Sequence, residues 1–170
     1  MRDSIVVAFV LSASIAVGGL LYLFGPSVFH QVPNLSGSTS TPGGVSYVTL
    51  AQGQNAHEDD RVNYRIMNAD QLGQLWDMVY GQTGPDVPNV DFSKNEVLAV
   101  FDGSHTTTGY SVSVQNISDA DGQRMVTVQR LAPSDSCPVD STITSPFIII
   151  SVPKTPLPLS HVDVPATSGC

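Results

Sequence analysis

The apolar positions of this chain fall into two regimes. From Ile5 to Phe24 they run without a charge (IVVAFVLSASIAVGGLLYLF), and a helix rising about 1.5 Å per residue over such a run spans a hydrocarbon core of about 30 Å. Beyond Gly44 they come in short bursts. Residues 61–67 set Val62, Tyr64 and Ile66 against Arg61, Asn63 and Arg65, the period-2 pattern of a strand with one buried face. Further strands are predicted over 45–50, 96–101, 110–117, 124–131 and 146–152, with Asp121-Gly122 as the tight turn between the fourth and fifth of the six. One segment has helical spacing instead. Leu72, Leu75, Trp76 and Val79 fall at i, i+3, i+4 and i+7 and form one apolar stripe. Asn68 is a good N-cap with Gln71 three residues on, Asp70 sits in the first turn, and Gly81 supplies a stop, so the helix is predicted over about 68–80.

The runs 96–101 and 146–152 are apolar on both faces, so the sheet holding them needs cover on each side. The helix can cover one face and a second sheet layer the other. The expected fold class is therefore α+β: a mostly antiparallel β sheet or small sandwich-like domain with one packed helix, preceded by a single N-terminal transmembrane helix. Pro153, Pro156, Pro158 and Pro165 interrupt the C-terminal stretch and leave at most a short edge strand around 161–164. The organisation reads as a membrane anchor over 1–25, a flexible Ser/Thr/Gly/Pro spacer over 26–44, a β-rich domain over 45–165 and a tail over 166–170. Arg2 before the apolar run directs the N-terminus to the cytoplasm and the domain outside. The competing reading is a signal peptide cut near Ser14 and Ala16, which would release a secreted domain.

Charge narrows the partners. Seven Lys+Arg stand against 15 Asp+Glu, a formal net charge of −8, and the cations are scattered singly, so no basic face exists for nucleic acid. Cys137 and Cys170 fall on the exported side, where a disulfide can persist. They do not make a zinc site, since no second ligand pair stands at the right spacing. The acidic cluster His57, Glu58, Asp59 and Asp60 reads as a solvated turn, because it lacks the alternation that aims several oxygens at one cation. No P-loop, nucleophile elbow, HExxH or EF-hand pattern is present. Neither a metal nor a small-molecule cofactor is expected, and the chain is not expected to be an enzyme. A Cys137–His105 thiol pair is the residual catalytic alternative.

The stretch 103–110, GSHTTTGY, joins two strong strands with small polar residues and no evident packing duty, as a binding loop would. Its residues Ser104, His105, Thr106, Thr107, Thr108, Gly109 and Tyr110 are the candidate partner-binding positions. The plainer alternative is an ordinary hairpin loop closed by a core tyrosine.

Trp76, the runs VDFSKNEVLAVFDG, TTTGYSVSV and TVQRLAP, then SDSC and TSPFIIISVPK follow one another in an order that resembles the C-terminal domain of the PrcB family, named for an accessory subunit of a cell-surface protease complex. The resemblance covers roughly 62–164. In that family the loop usually reads TGGY, so Thr108 replaces a glycine, and His105 stands where a basic residue is common. The resemblance implies a non-catalytic, extracytoplasmic domain that associates with a protease or envelope partner. TTTGY also resembles a loop of chagasin-type cysteine-protease inhibitors, whose third loop is loosely similar to Ser145-Pro146-Phe147; on that likeness Phe147 joins the candidate contacts. Their glycine-rich second loop is missing here. The expected function is thus a membrane-tethered module, held through Ile5 to Phe24, that binds a protein such as a protease, with protease inhibition as the alternative.

Overall fold

The computed structural model describes residues 38–39 and 44–169. The apolar run from Ile5 to Phe24 and most of the spacer lie outside the described residues. Among the described residues no helix is long and apolar enough to cross a membrane. Among the described residues eight strands and one α-helix follow in chain order: β1 (Ser38–Thr39), β2 (Tyr47–Gly53), β3 (Val62–Ile66), α1 (Ala69–Tyr80), β4 (Asn95–Phe101), β5 (Ser111–Ala120), β6 (Gln123–Pro133), β7 (Phe147–Pro153) and β8 (Leu159–Ser168). They form a five-stranded sheet, β1-β2-β7-β4-β3, and a three-stranded sheet, β5-β6-β8. The class is α+β: the described residues are β-rich, with two sheets and one short α-helix.

Strand parity explains the layering. In β4, Val97, Ala99 and Phe101 join Leu72, Leu75, Trp76 and Val79 of α1 in one core. Leu98 and Val100 point the other way and join Val112, Val114, Val126 and Val128 of the second sheet. β7 divides likewise, Phe147 and Ile149 toward the helix, Ile148, Ile150 and Val152 toward the second sheet. The two continuous apolar runs are thus the central strands of a three-layer stack, covered on both faces as their composition requires.

Local signals behave as their chemistry predicts. Asn68 accepts the Gln71 N–H at 2.9 Å, which satisfies one of the helix's orphan donors, and the Gln71 side chain accepts the N–H of Met67, the residue before the cap, at 2.8 Å. Asp121 and Gly122 both adopt positive φ (52° and 74°), the two-residue turn that matches the twist of a hairpin. In β5 the inward set runs Val112, Val114, Ile117 rather than in strict alternation. A β-bulge between Val114 and Asn116 absorbs the extra residue.

Three features depart from the pattern. Within the predicted spacer, Ser38–Thr39 pairs antiparallel with β2. The edge strand expected around 161–164 is much longer: β8 extends from Leu159 to Ser168, into the predicted tail, and lies parallel to β6 over its whole length. Pro165 is accommodated because β8 is an edge strand, where a missing N–H costs no ladder bond on the open side. The third departure is ionic. Glu96, fully buried at the start of β4, takes two bonds on Oε2 from Arg65 (3.0 Å from Nε, 2.6 Å from Nη2) and one on Oε1 from Arg124 Nη1 at 3.4 Å. Arg124 in turn binds Asp119 at 2.7 and 2.8 Å. That hydrogen bonding holds the Asp119 carboxyl below the usual aspartate range.

Candidate functional site

β4 ends in Asp102, and the chain there leaves the sheet at the end opposite the Asp121-Gly122 hairpin. Asp102 is buried. Its Oδ2 lies 2.7 Å from His105 Nε2, and its Oδ1 accepts a short hydrogen bond from Arg130 Nε on β6. A carboxylate oxygen accepts, so His105 Nε2 is the donor in this contact. The His105 ring lies flat on Tyr110, centroids 3.8 Å apart and planes at 5°. One acid thus fixes the first half of the loop to the second sheet, and one stacking contact closes the second half.

The loop is then stitched to residues 134–145. His105 and Thr144 exchange backbone bonds at 2.8 and 2.9 Å, and the Thr144 hydroxyl donates to the Thr107 carbonyl at 2.9 Å. Thr108 N–H donates to the Asp140 carbonyl, while Thr108 Oγ1 accepts the Asp140 N–H, both at 3.0 Å. Below them, Ser104 N–H donates to the Asp59 carbonyl at 2.9 Å, and Ser145 Oγ donates to that of Glu58 at 2.5 Å. Two glycines make this approach possible. Gly103 (φ 83°) would place a Cβ 2.9 Å from Asp59 O, and Gly109 (φ 98°) one 2.9 Å from Pro133 Cβ.

Three segments therefore converge into one pole: the acidic turn, the GSHTTTGY loop and residues 134–145. The acidic turn has a structural part in it. Glu58 accepts the Tyr64 hydroxyl at 3.0 Å, and this bond, with burial, holds the phenol above its ordinary pKa. Among the described residues no group of three or more His, Cys, Asp and Glu is placed to hold a metal ion.

Residues 97–153 match the PrcB C-terminal family model. The match extends from within β4 to the end of β7 and covers under half of the chain. It contains both principal segments of the pole, including the whole of GSHTTTGY, and leaves out α1, β3 and β8. Comparison with curated proteins and with solved structures returns no match.

The candidate residues fare differently within this PrcB-like segment. Ser104, Thr106 and Gly109 are exposed; His105, Thr107, Thr108 and Tyr110 are half-buried. The His105 ring and the Thr108 hydroxyl are engaged inside the pole. Phe147 is a core residue, 3% exposed, stacked on Phe101 and edge-on to Tyr80, so its ring offers no surface to a partner. Cys137 is disulfide-bonded and has no thiol in this state; the chain's other cysteine, Cys170, lies outside the described residues.

The sequence reading missed the residues that make the pole a surface. Ile143 is 72% exposed and Val139 41% exposed, on the segment that pairs with the loop. Val139 reaches over Gly109, its Cγ1 3.4 Å from where a Cβ would stand. A signal for Ile143 was available: it stands between threonines in STITSP, outside any periodic apolar run. Asp102 and Arg130 gave no comparable signal, because their pairing depends on how β4 and β6 lie against each other.

Proposed function

We propose that this chain is a non-catalytic, extracytoplasmic protein-binding module, tethered through the apolar run from Ile5 to Phe24, that docks on a component of a protease complex through the pole of residues 102–110 and 134–145. The observation that carries this reading is the exposure of Ile143 and Val139 on a segment locked to the GSHTTTGY loop through Thr108 and Thr144, the loop itself being fixed to β6 by Asp102 and Arg130. An exposed apolar side chain on a preorganised scaffold gains burial on binding without a large ordering cost. The match to the PrcB C-terminal family supports a protease-complex setting, and the uncharged leading run supports the tether.

Ile143→Asp tests the reading in the full chain used as bait in its native envelope. Partner capture is expected to fall at least about tenfold, as at a central apolar anchor, while the unfolding midpoint stays within about 0.5 kcal/mol of the parent because the site is solvent-facing. Undiminished capture by Ile143→Asp would contradict the assignment of the pole. Inhibition of a papain-like protease by the same chain would move the reading to an inhibitor.

A further inference from the structure

A second feature lies away from the pole, on the flank where β3 and β8 form the edges of their respective sheets. There the two sheets do not close on each other, and a half-open cleft of about 570 Å³ remains. Its origin is legible in β3. Arg61, Asn63 and Arg65 face the second sheet, where a sandwich normally carries apolar residues. The two arginines reach across, Arg61 to Asp163 on β8 at 2.6 and 3.0 Å, Arg65 to the Thr155 and Leu157 carbonyls at 2.5 and 3.1 Å. Asn63 between them is too short to span the gap. The cleft is the space it leaves, floored by Leu98, Val100, Val126 and Val128.

The chemistry of the walls selects a ligand class. Volume and apolar floor match those of small-molecule sites, which typically enclose about 300–1,000 Å³. An anion finds no free guanidinium: every guanidinium nitrogen of Arg61 and Arg65 already donates within the protein, His161 stands exposed at the β8 side of the lining, and the chain is acidic overall. A cation finds no free carboxylate, since Asp163 and Glu96 are paired with those arginines. Asn63 Oδ1 accepts from Arg61 Nη1 at 2.6 Å, which orients the amide and leaves its Nδ2 as a donor in the cleft wall. We propose that the β3–β8 cleft binds a neutral, largely apolar small molecule carrying one hydrogen-bond acceptor, which Asn63 recognises.

Benzophenone is a suitable probe, being neutral and apolar with a single carbonyl acceptor and photoreactive toward C–H bonds. The full chain is irradiated with increasing benzophenone and the labelled peptides are mapped by mass spectrometry. Saturable labelling of β4, β6 or β8 peptides is expected, with the anionic 4-benzoylbenzoate labelling them far less. Leu159→Trp, which fills the cleft from β8, should abolish the saturable component. Asn63→Asp keeps the acceptor for Arg61 but removes the donor, and should raise the half-saturating concentration about fivefold or more, the worth of one hydrogen bond. Labelling that never saturates, or that Asn63→Asp and Leu159→Trp both leave unchanged, overturns the proposal. Neither variant lies in the pole, so partner capture should persist in both and the two readings fail separately.

Discussion

Trp76→Ala is expected to destabilise the domain by about 3–5 kcal/mol, a large share of the roughly 5–15 kcal/mol that holds a domain folded. The indole is buried at the middle of the α1 stripe and packs against Tyr80 with ring centroids 5.0 Å apart. Its Nε1 donates to the Pro85 carbonyl at 2.8 Å, which ties the Pro/Gly-rich loop after the helix back onto it. Alanine removes both the apolar volume and the donor, so cavity and unsatisfied carbonyl add. Trp76→Phe separates the two contributions, since it retains most of the packing and loses the hydrogen bond, at an expected cost of about 1–2 kcal/mol. Urea denaturation with an unchanged slope is the appropriate measurement. A loss under about 1 kcal/mol for the alanine variant would mean that α1 is not pinned to the sheet by this side chain.

Glu96→Gln is expected to cost about 3 kcal/mol, the lower end of the range for breaking a buried ion pair. Glutamine preserves shape but replaces one acceptor oxygen with an NH2 group facing guanidinium nitrogens. Arg124, buried beside it, loses one of two carboxylates and keeps the other, Asp119, together with the Pro153 carbonyl at 2.5 Å. Arg65 is partly exposed, so water can compensate some of its loss. These two circumstances place the cost at the low end. A change below about 1 kcal/mol would show that the network behaves as a solvated surface bridge.

The layering was readable because strand parity carries it directly. A run such as VLAVF, apolar at every position, has no solvent face, so two covers follow from composition alone. The α1 boundaries were equally readable, since Asn68, Gln71 and Gly81 act on their immediate neighbours. β8 was underestimated because its prolines argue against a strand when the pairing partner is unknown. The ladder that stabilises it belongs to β6, which is separated from it in the chain by residues 134–158, including β7 of the other sheet. The Arg65–Glu96–Arg124 network was hidden for the same reason: each charge looks solitary in sequence, and only the register of β3 against β4 and the stacking of the two sheets bring them together. The candidate loop was found from its composition. Its anchoring by Asp102 and Arg130, and the apolar residues 139 and 143 that it presents, arise from a segment about thirty positions away in sequence.

The two ends of β4 thus carry different duties. At its start, Glu96 is sealed into an ion network beside the β5–β6 hairpin; at its end, Asp102 organises a loop whose outer residues remain uncovered. A sealed ion network thus lies at one end and exposed apolar side chains at the other, and the docking proposed at the latter end needs no rearrangement of the scaffold.

Site-specific photo-crosslinking in the native cell tests the proposed docking through the pole most directly. A photoreactive residue is placed at position 143 on the pole in one full-length chain and at position 121 in the opposite hairpin in another. The account predicts a discrete protein adduct from position 143 and none from position 121. An adduct from position 121 with none from position 143 would contradict it.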